Sequence, residues 1–289
     1  MAPSYKIETT PKKAEALRQL GFNPLEIQAE QSQVEQIAEP NRKNWIVIPQ
    51  EFSGWKYILE VDPARLSHSP AVEKAANELK INNYKNTATD SLERDFIGNN
   101  NWQESLRLNL ALGSKTPTLE ESTTFGRLLF QGAKEGLKVY DVLGNQIDEK
   151  ILEQYFNDIY QVKSPLREEW FDANFKTKGK KLYIHYNHAL NCQGNLSPKN
   201  RKVLSKNTLM QNKTPGISLE DWLKNPTKQG LPTDRIQYGD AYYWAPAPLS
   251  NNNSVARLGA YSGGFNLDCD ADPSNRNSDL GVRAAKRLN

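Results

Sequence analysis

The sequence predicts an α+β chain in which helices come early and strands with long connections follow. Two observations lead there: helical apolar spacing recurs through the first 160 residues, and strand-like aromatic and β-branched runs take over from Trp170 onward.

In order, residues 12–20 and 25–37 have helical apolar spacing, and residues 44–48 and 55–61 read as strands. Ser69 caps a helix that runs to Leu79, and the polar run 82–90 links this region to the rest. A helix-like stretch leads from Trp102 to Gly113. Thr118 then offers an N-cap with Glu121 at N3, ahead of Phe125, Leu128 and Leu129. Residues 138–145 suggest a short strand and turn, and 148–160 another amphipathic helix. Residues 170–175 and 181–186 form a hairpin over Lys178-Gly179-Lys180, and 235–244 reads as a further strand. The long connection 189–233 carries one helix signal, at residues 218–223; loops of that length in a compact domain are functional or disordered. The expected organisation is a small α/β N-terminal region over 1–97 and a main domain over 98–289.

Composition narrows the function classes. With 289 residues and 37% apolar content the chain can build a real core. A net charge of +3 with scattered lysines leaves no electrostatic footprint for nucleic acid. There is no transmembrane run and no apolar h-region at the start, so no membrane insertion is expected. The chain reads as cytoplasmic, or as displayed at a surface by a route its sequence does not show. Cys192 and Cys269 exclude a disulfide framework and leave either one bridge or, as expected here, two buried thiols.

The last fifty residues are unusual for what they omit. Lys, Glu, Gln and Met make up about a fifth of the chain, yet none occurs from Tyr238 to Ala285, and only one Trp does. All five acidic residues there are Asp: Asp240, Asp268, Asp270, Asp272 and Asp279. Gly/Asn/Asp/Ser-rich turns avoid long charged side chains, which is one cause. The other is genetic: randomising the first two bases of an Asn codon, with its pyrimidine third base kept, never yields Lys, Glu, Gln, Met or Trp.

The segment from Asn251 to Ala284 resembles the carboxyl-terminal repeat of variable proteins in diversity-generating retroelements, in which a reverse transcriptase misreads template adenines and rewrites a short region of a target gene. Arg167-Glu-Glu-Trp-Phe-Asp-Ala-Asn-Phe175, Lys181-Leu-Tyr-Ile-His-Tyr-Asn-His188, Gln229-Gly-Leu-Pro-Thr233 and Tyr242-Tyr-Trp-Ala-Pro246 are similar to the archaeal branch of that family. The resemblance covers residues 98 to the end and implies a C-type-lectin-like fold with its diversified segment at about 238–285. Periodicity alone does not narrow the fold so far.

Other motifs are weak. Asp268-x-Asp270-x-Asp272 imitates the start of a calcium loop, but Pro273 stands where an EF-hand needs Gly, so no metal is expected. His185 and His188 lie three apart on a strand, where side chains diverge, and read as structural. The tripeptides by which calcium-dependent lectins hold sugars are absent. Formylglycine-generating enzymes share a related fold but need a cysteine pair, and one cysteine occurs in the corresponding region. The chain is therefore expected not to be an enzyme and to need no cofactor. A formylglycine-generating-type oxidase and an undiversified structural or adhesion module are the alternatives.

Arg257, Leu267, Cys269, Leu280, Val282 and Arg283 read as frame, because Leu267 and Cys269 alternate with Asp268 and Asp270. The expected ligand-binding positions lie between them: Tyr261, Gly263, Gly264, Phe265, Asp268, Asp270, Ala271, Asp272, Asn275 and Asp279, together with Leu258, Gly259 and Asp240. They should cover one exposed face, as in an antibody paratope. Several aspartates with Tyr261 and Phe265 suit a protein or cell-surface ligand with a basic surface and apolar pockets.

Overall fold

A computed structural model of the chain describes residues 4–8, 11–20, 23–27, 42–52, 55–85, 87–161, 164–246, 253–261 and 263–288. It is α+β and rich in strands. In order the elements are β1 (Ser4–Glu8), α1 (Pro11–Gln19), β2 (Asn23–Ile27), β3 (Ile46–Phe52), β4 (Trp55–Arg65), α2 (Pro70–Leu79), β5 (Thr87–Thr89), β6 (Asp95–Ile97), α3 (Trp102–Ala111), α4 (Leu119–Lys134) and α5 (Glu149–Tyr160). Then come β7 (Arg167–Lys178), β8 (Lys181–Leu190), β9 (Leu196–Val203), β10 (Lys213–Ile217), α6 (Leu219–Lys224), β11 (Ala241–Trp244), β12 (Ser254–Tyr261), β13 (Gly264–Ala271) and β14 (Leu280–Leu288). Among the described residues no helix is long and apolar enough to cross a membrane.

The chain forms two compact units. One comprises residues 1–63, 128–155 and 285–289; the other comprises 64–127 and 156–284. Residues 64–97, grouped by sequence with the N-terminal region, belong to the second unit. There Leu66 donates its backbone N–H to Val282 and accepts one from Ile97, and Ser91 donates to Asp158.

In the first unit β1 and β2 pair in parallel around α1, and β3 and β4 form an antiparallel hairpin. Residues 25–27 are thus strand where helical spacing was expected; residues 28–37 of that expected helix lie outside the described residues. Leu17, Ile46, Ile48, Ile58 and Val61 are buried, and the buried Glu60 accepts from Lys13 at 2.5 Å and from Arg42.

In the second unit capping fixes the helix starts. Ser69 Oγ accepts from Val72 N at 3.2 Å ahead of Pro70, whose missing N–H costs nothing at the first helical position. Asn101 and Glu104 form a reciprocal capping box on α3, and Thr118 and Glu121, as expected, form another on α4. Ser218 caps α6 through Asp221 N at 3.2 Å. The principal sheet of this unit runs β10-β11-β13-β12-β7-β14, with β8 on β7 and β9 on β8. The β7–β8 hairpin turns at Lys178–Lys181 with Gly179 at φ +62°, as expected from Lys178-Gly179-Lys180. Within the expected strand 235–244, strand structure is confined to β11. Residues 235–240 instead form an irregular approach, tied by Gln237, which accepts from Ser218 N and donates to Asp221.

Buried ion pairs hold this unit as well as apolar packing. Asp158 lies among Arg65 (3.1 Å), Arg167 (2.9 Å) and the Ser91 hydroxyl (2.6 Å), and Glu169 accepts from Arg283 at 2.8 Å. Gly98 lies so close to the loop before β14 that an added Cβ would stand 1.7 Å from the Ser278 carbonyl oxygen.

Candidate functional site

The segment with the unusual composition builds β12, β13 and β14, and its two faces differ. Across the strands, register places Tyr242 opposite Asn266 and Trp244 opposite Asp268; Asp268 opposes Arg257, and Asn266 opposes Gly259, which opposes Glu168. Opposed residues share a face and alternate residues change it. One face therefore carries Tyr242, Trp244, Asn266, Asp268, Arg257 and Glu168, together with the buried Trp170, which opposes Arg257, and Leu280 and Val282 of β14, which oppose Glu168 and Trp170. The other carries Tyr243, Phe265, Leu267, Cys269 and Leu258, all buried.

The expected ligand positions do not all lie together. Leu258, Gly259, Gly264, Phe265, Asp268 and Ala271 are buried, which corrects the expectation of one exposed face. Phe265 has the same parity as Leu267 and packs between Tyr160 (5.2 Å between ring centroids) and Trp222 (5.8 Å). Leu258 opposes Leu267 across the ladder. Ala271 joins Trp102, Leu106, Trp170, Val255 and Leu280 in a core cluster, because the register shift between Val255 and Arg257 changes its side. Gly264 has φ +141°, a backbone conformation few residues other than Gly adopt. Asp240 and Gly263 are exposed and lie by the β12–β13 turn, where Gly264 approaches the Asp240 carbonyl and Gly263 the Tyr242 hydroxyl. Asp270, Asp272, Asn275 and Asp279 are partly exposed, and they lie towards the far end of β13 and in the loop before β14. β13 spans eight residues, so the two groups are on the order of 20 Å apart. Tyr261 ends β12, but its side chain lies outside the described residues.

Between these groups lies an acidic patch. Arg257 bridges Asp268, with Nε at 3.0 Å from Oδ2, and Glu168, with Nη1 at 3.1 Å from Oε2. Asn277 also donates to Glu168 Oε2, at 3.0 Å. Glu168 is 1% exposed and Asp268 9%. Burial pushes the Glu168 carboxyl up to about 7; Arg257 and Asn277 pull it down, and Asp279 and Asp268 push it further up. Burial, then Asp268, likewise raises Asp270.

The unmet hydrogen bonds of this face are all on acceptors. Glu168 Oε1, Asp279 Oδ2, Asp270 Oδ1 and Asn266 Oδ1 are shielded from solvent and have no partner among the described residues. Buried acceptors are normally paired, and an unpaired one costs about 1–3 kcal/mol. The loop that carries Asp279 is fixed in place: its carbonyl accepts from Glu168 N at 2.7 Å, Asn99 donates to Asn277 O at 2.7 Å, and Arg276 pairs with Glu104.

Sequence reasoning did not single out Glu168, Asn266, Tyr242 or Trp244. Parity along Tyr242-Tyr243-Trp244 separates the buried Tyr243 from its neighbours, and Trp244 is 40% exposed. Glu168 had no local signal, since it is 89 residues from Arg257.

The histidines do not converge on one centre. His188 is held at Nδ1 by Asp172 at 2.5 Å and meets Trp102 edge-on at 5.0 Å between centroids; His185, also on β8, opposes Asn174 of β7. Among the described residues no hydroxyl or thiol is hydrogen-bonded to His188, and no three acidic, His or Cys side chains converge to hold a metal ion. Cys269 is buried, but Cys192 is exposed and both are free, which corrects the expectation of two buried thiols. A separate small pocket is lined by Thr118, Leu119, Glu120, Ile184, Tyr186 and Gln229, and there burial pushes Glu120 up to about 7.

Comparison with protein-family models, with curated proteins and with solved structures finds no match.

Proposed function

We propose that the chain is a binding protein of the diversity-generating-retroelement type, displaying a rewritable surface on a C-type-lectin-like scaffold, with no catalytic step of its own. The observation that carries this reading is a coincidence in space. The stretch without Lys, Glu, Gln or Met forms strands and a loop whose Asp240, Gly263, Asp270, Asp272, Asn275 and Asp279 are exposed or partly exposed, while Leu267, Cys269, Leu280 and Val282 from the same stretch are buried. Long excursions between strands and a last strand anchored by Arg283 on Glu169 also support it. The displayed surface narrows to Asp240, Gly263, Asn266, Asp270, Asp272, Asn275 and Asp279, bordered by Tyr242 and Trp244. The buried Leu258, Phe265 and Ala271 contribute to the core instead.

The DNA beside the gene tests the reading. A near-copy of the last stretch of coding sequence, differing only at adenines and next to a reverse-transcriptase gene, is the expected finding. A neighbourhood with neither removes diversification and leaves the undiversified adhesion module.

A further inference from the structure

At a surface outside the segment 238–285, we propose that β9 accepts an added strand: an extended, acidic segment of a protein partner, paired on the free edge of the sheet at Ser197, Lys199 and Arg201. Two independent observations meet there, one in the backbone and one in the charges. The backbone presents an open ladder, since among the described residues β9 pairs with β8 alone and its other side has no strand beside it. Register shows which groups face that side. Leu204 N donates to Leu182 O at 3.1 Å, and the ladder continues with Lys202 opposite Ile184 and Asn200 opposite Tyr186. Backbone groups alternate in direction along an antiparallel strand, so the even-numbered residues of β9 bond to β8 and the odd-numbered ones turn N–H and C=O outwards. Val203 fits this parity and closes one end, because its carbonyl accepts from Gln229 Nε2 at 3.5 Å. Ser197, Lys199 and Arg201 remain, all exposed.

The charges select the kind of strand. From Ala173 to Leu219 the chain has nine Lys and Arg residues and no Asp or Glu, in a protein whose net charge is +3, so its positive charge is concentrated here. Six of the nine are exposed on β7, β8, β9 and the first turn between them: Lys176, Lys178, Lys180, Lys181, Lys199 and Arg201. Among the described residues no ion pair joins Lys199 or Arg201 to an acidic side chain; Arg201 lies over the Tyr183 ring, 5.6 Å from its centroid. Lysine on an edge strand repels a second copy of the same edge. It attracts a strand of opposite sign, because opposite charges facing each other across a ladder are favourable. Unpaired backbone groups favour a peptide over a nucleic acid or a glycan, and the bases favour an acidic one. Alternate side chains of a strand share a face. An antiparallel partner therefore sets one acidic residue against Arg201 and another, two residues on, against Lys199, with an apolar residue two before them against Val203, which is 45% exposed.

The test is an NMR titration of the full chain with the peptide acetyl-Thr-Val-Thr-Glu-Thr-Glu-Thr-amide. Its controls are the same peptide N-methylated at both glutamate amides, which keeps the charges and removes the backbone bonds, the counterpart with lysine for glutamate, and a single-stranded oligothymidylate. The glutamate peptide should shift the amide signals of β9 and bind about fivefold or more tightly than any control. Lys199→Pro removes an outward N–H while leaving the ladder to β8, and should weaken the peptide by about the same factor. Lys199→Glu combined with Arg201→Glu should reverse the preference to the lysine peptide; both side chains are exposed, so this variant serves if the proline one does not fold. No binding at about 1 mM peptide, equal binding of the N-methylated peptide, or unchanged binding in the folded variants overturns the proposal. Tighter binding of the oligothymidylate than of the peptide overturns it in favour of a nucleic-acid surface.

Discussion

Arg65 Nη1 lies 3.1 Å from Asp158 Oδ2, and both side chains are sealed from solvent. They are 93 residues apart in sequence, on the end of β4 and the last turn of α5. Burial alone would push the Asp158 carboxyl up; Arg65, the Ser91 hydrogen bonds and Arg167 more than offset this and hold it well below the usual carboxylate range. Removing one partner from such a group strands the others, at a cost of about 3–5 kcal/mol. Asp158→Asn should therefore lower stability by that order in urea or thermal unfolding, and a loss under 1 kcal/mol would show the network to be dispensable. A fragment starting at residue 98 lacks both Arg65 and Ser91 and is expected to be unfolded or insoluble. A folded, monomeric fragment would contradict this.

Because the folded-state pKa of Asp158 is depressed, its contribution is present above the ordinary carboxylate pKa and is lost as pH falls through the folded value. Glu168 and Glu120 act in the opposite sense. Their folded pKa is raised to about 7, so the unfolded chain releases their protons first, and stability falls as pH rises from about 4.5 to about 7. Glu168→Gln should flatten this slope, leaving the protein roughly 1–3 kcal/mol more stable than the parent at pH 8 relative to their difference at pH 4.5. Melting temperatures at the two pH values measure it, and parallel curves for parent and variant would rule out the Glu168 assignment.

Helix starts are legible in the sequence because a single side chain marks each: Ser69, the Thr118–Glu121 pair and Ser218 all cap as their spacing implies. The inward face of β13 is legible too, since Leu267 and Cys269 alternate with Asp268. Phe265 shares their parity, and codon composition outweighed parity in assigning it outward. Ala271 is a different case, because the register shift at Val255 and Arg257 changes its side, and no local pattern in β13 announces a shift set by its neighbours. The acidic patch joins residues from β7, β12, β13 and the loop before β14. Only the fold brings these together, so Glu168 carried no signal in sequence.

The correction at Phe265 gives a direct comparison. Phe265→Ala removes a ring packed between Tyr160 and Trp222 and should cost about 3–5 kcal/mol, in the range of other buried aromatics. Asp272→Ala and Asn275→Ala, on the partly exposed loop, should stay within about 0.5–1 kcal/mol, the Asp272 contact to Ser274 being local. Equal losses at all three positions in chemical denaturation would undo the division between core and displayed residues.

Gly98 is the tightest point around the patch, and it is coupled to the patch through the backbone. A Cβ there would stand 1.7 Å from the Ser278 carbonyl oxygen and 2.6 Å from its carbon, both backbone atoms that cannot swing aside as a side chain tip would. Nor can the loop retreat freely: Asn277 O is held by Asn99 N at 2.7 Å and by Leu280 N at 3.0 Å, and Asp279 O by Glu168 N at 2.7 Å. Gly98→Ala must therefore break some of these bonds, and overpacking of this kind costs roughly 1–3 kcal/mol or more. Urea unfolding measures the loss. A variant as stable as the parent would mean that residues 98 and 278 do not approach this closely.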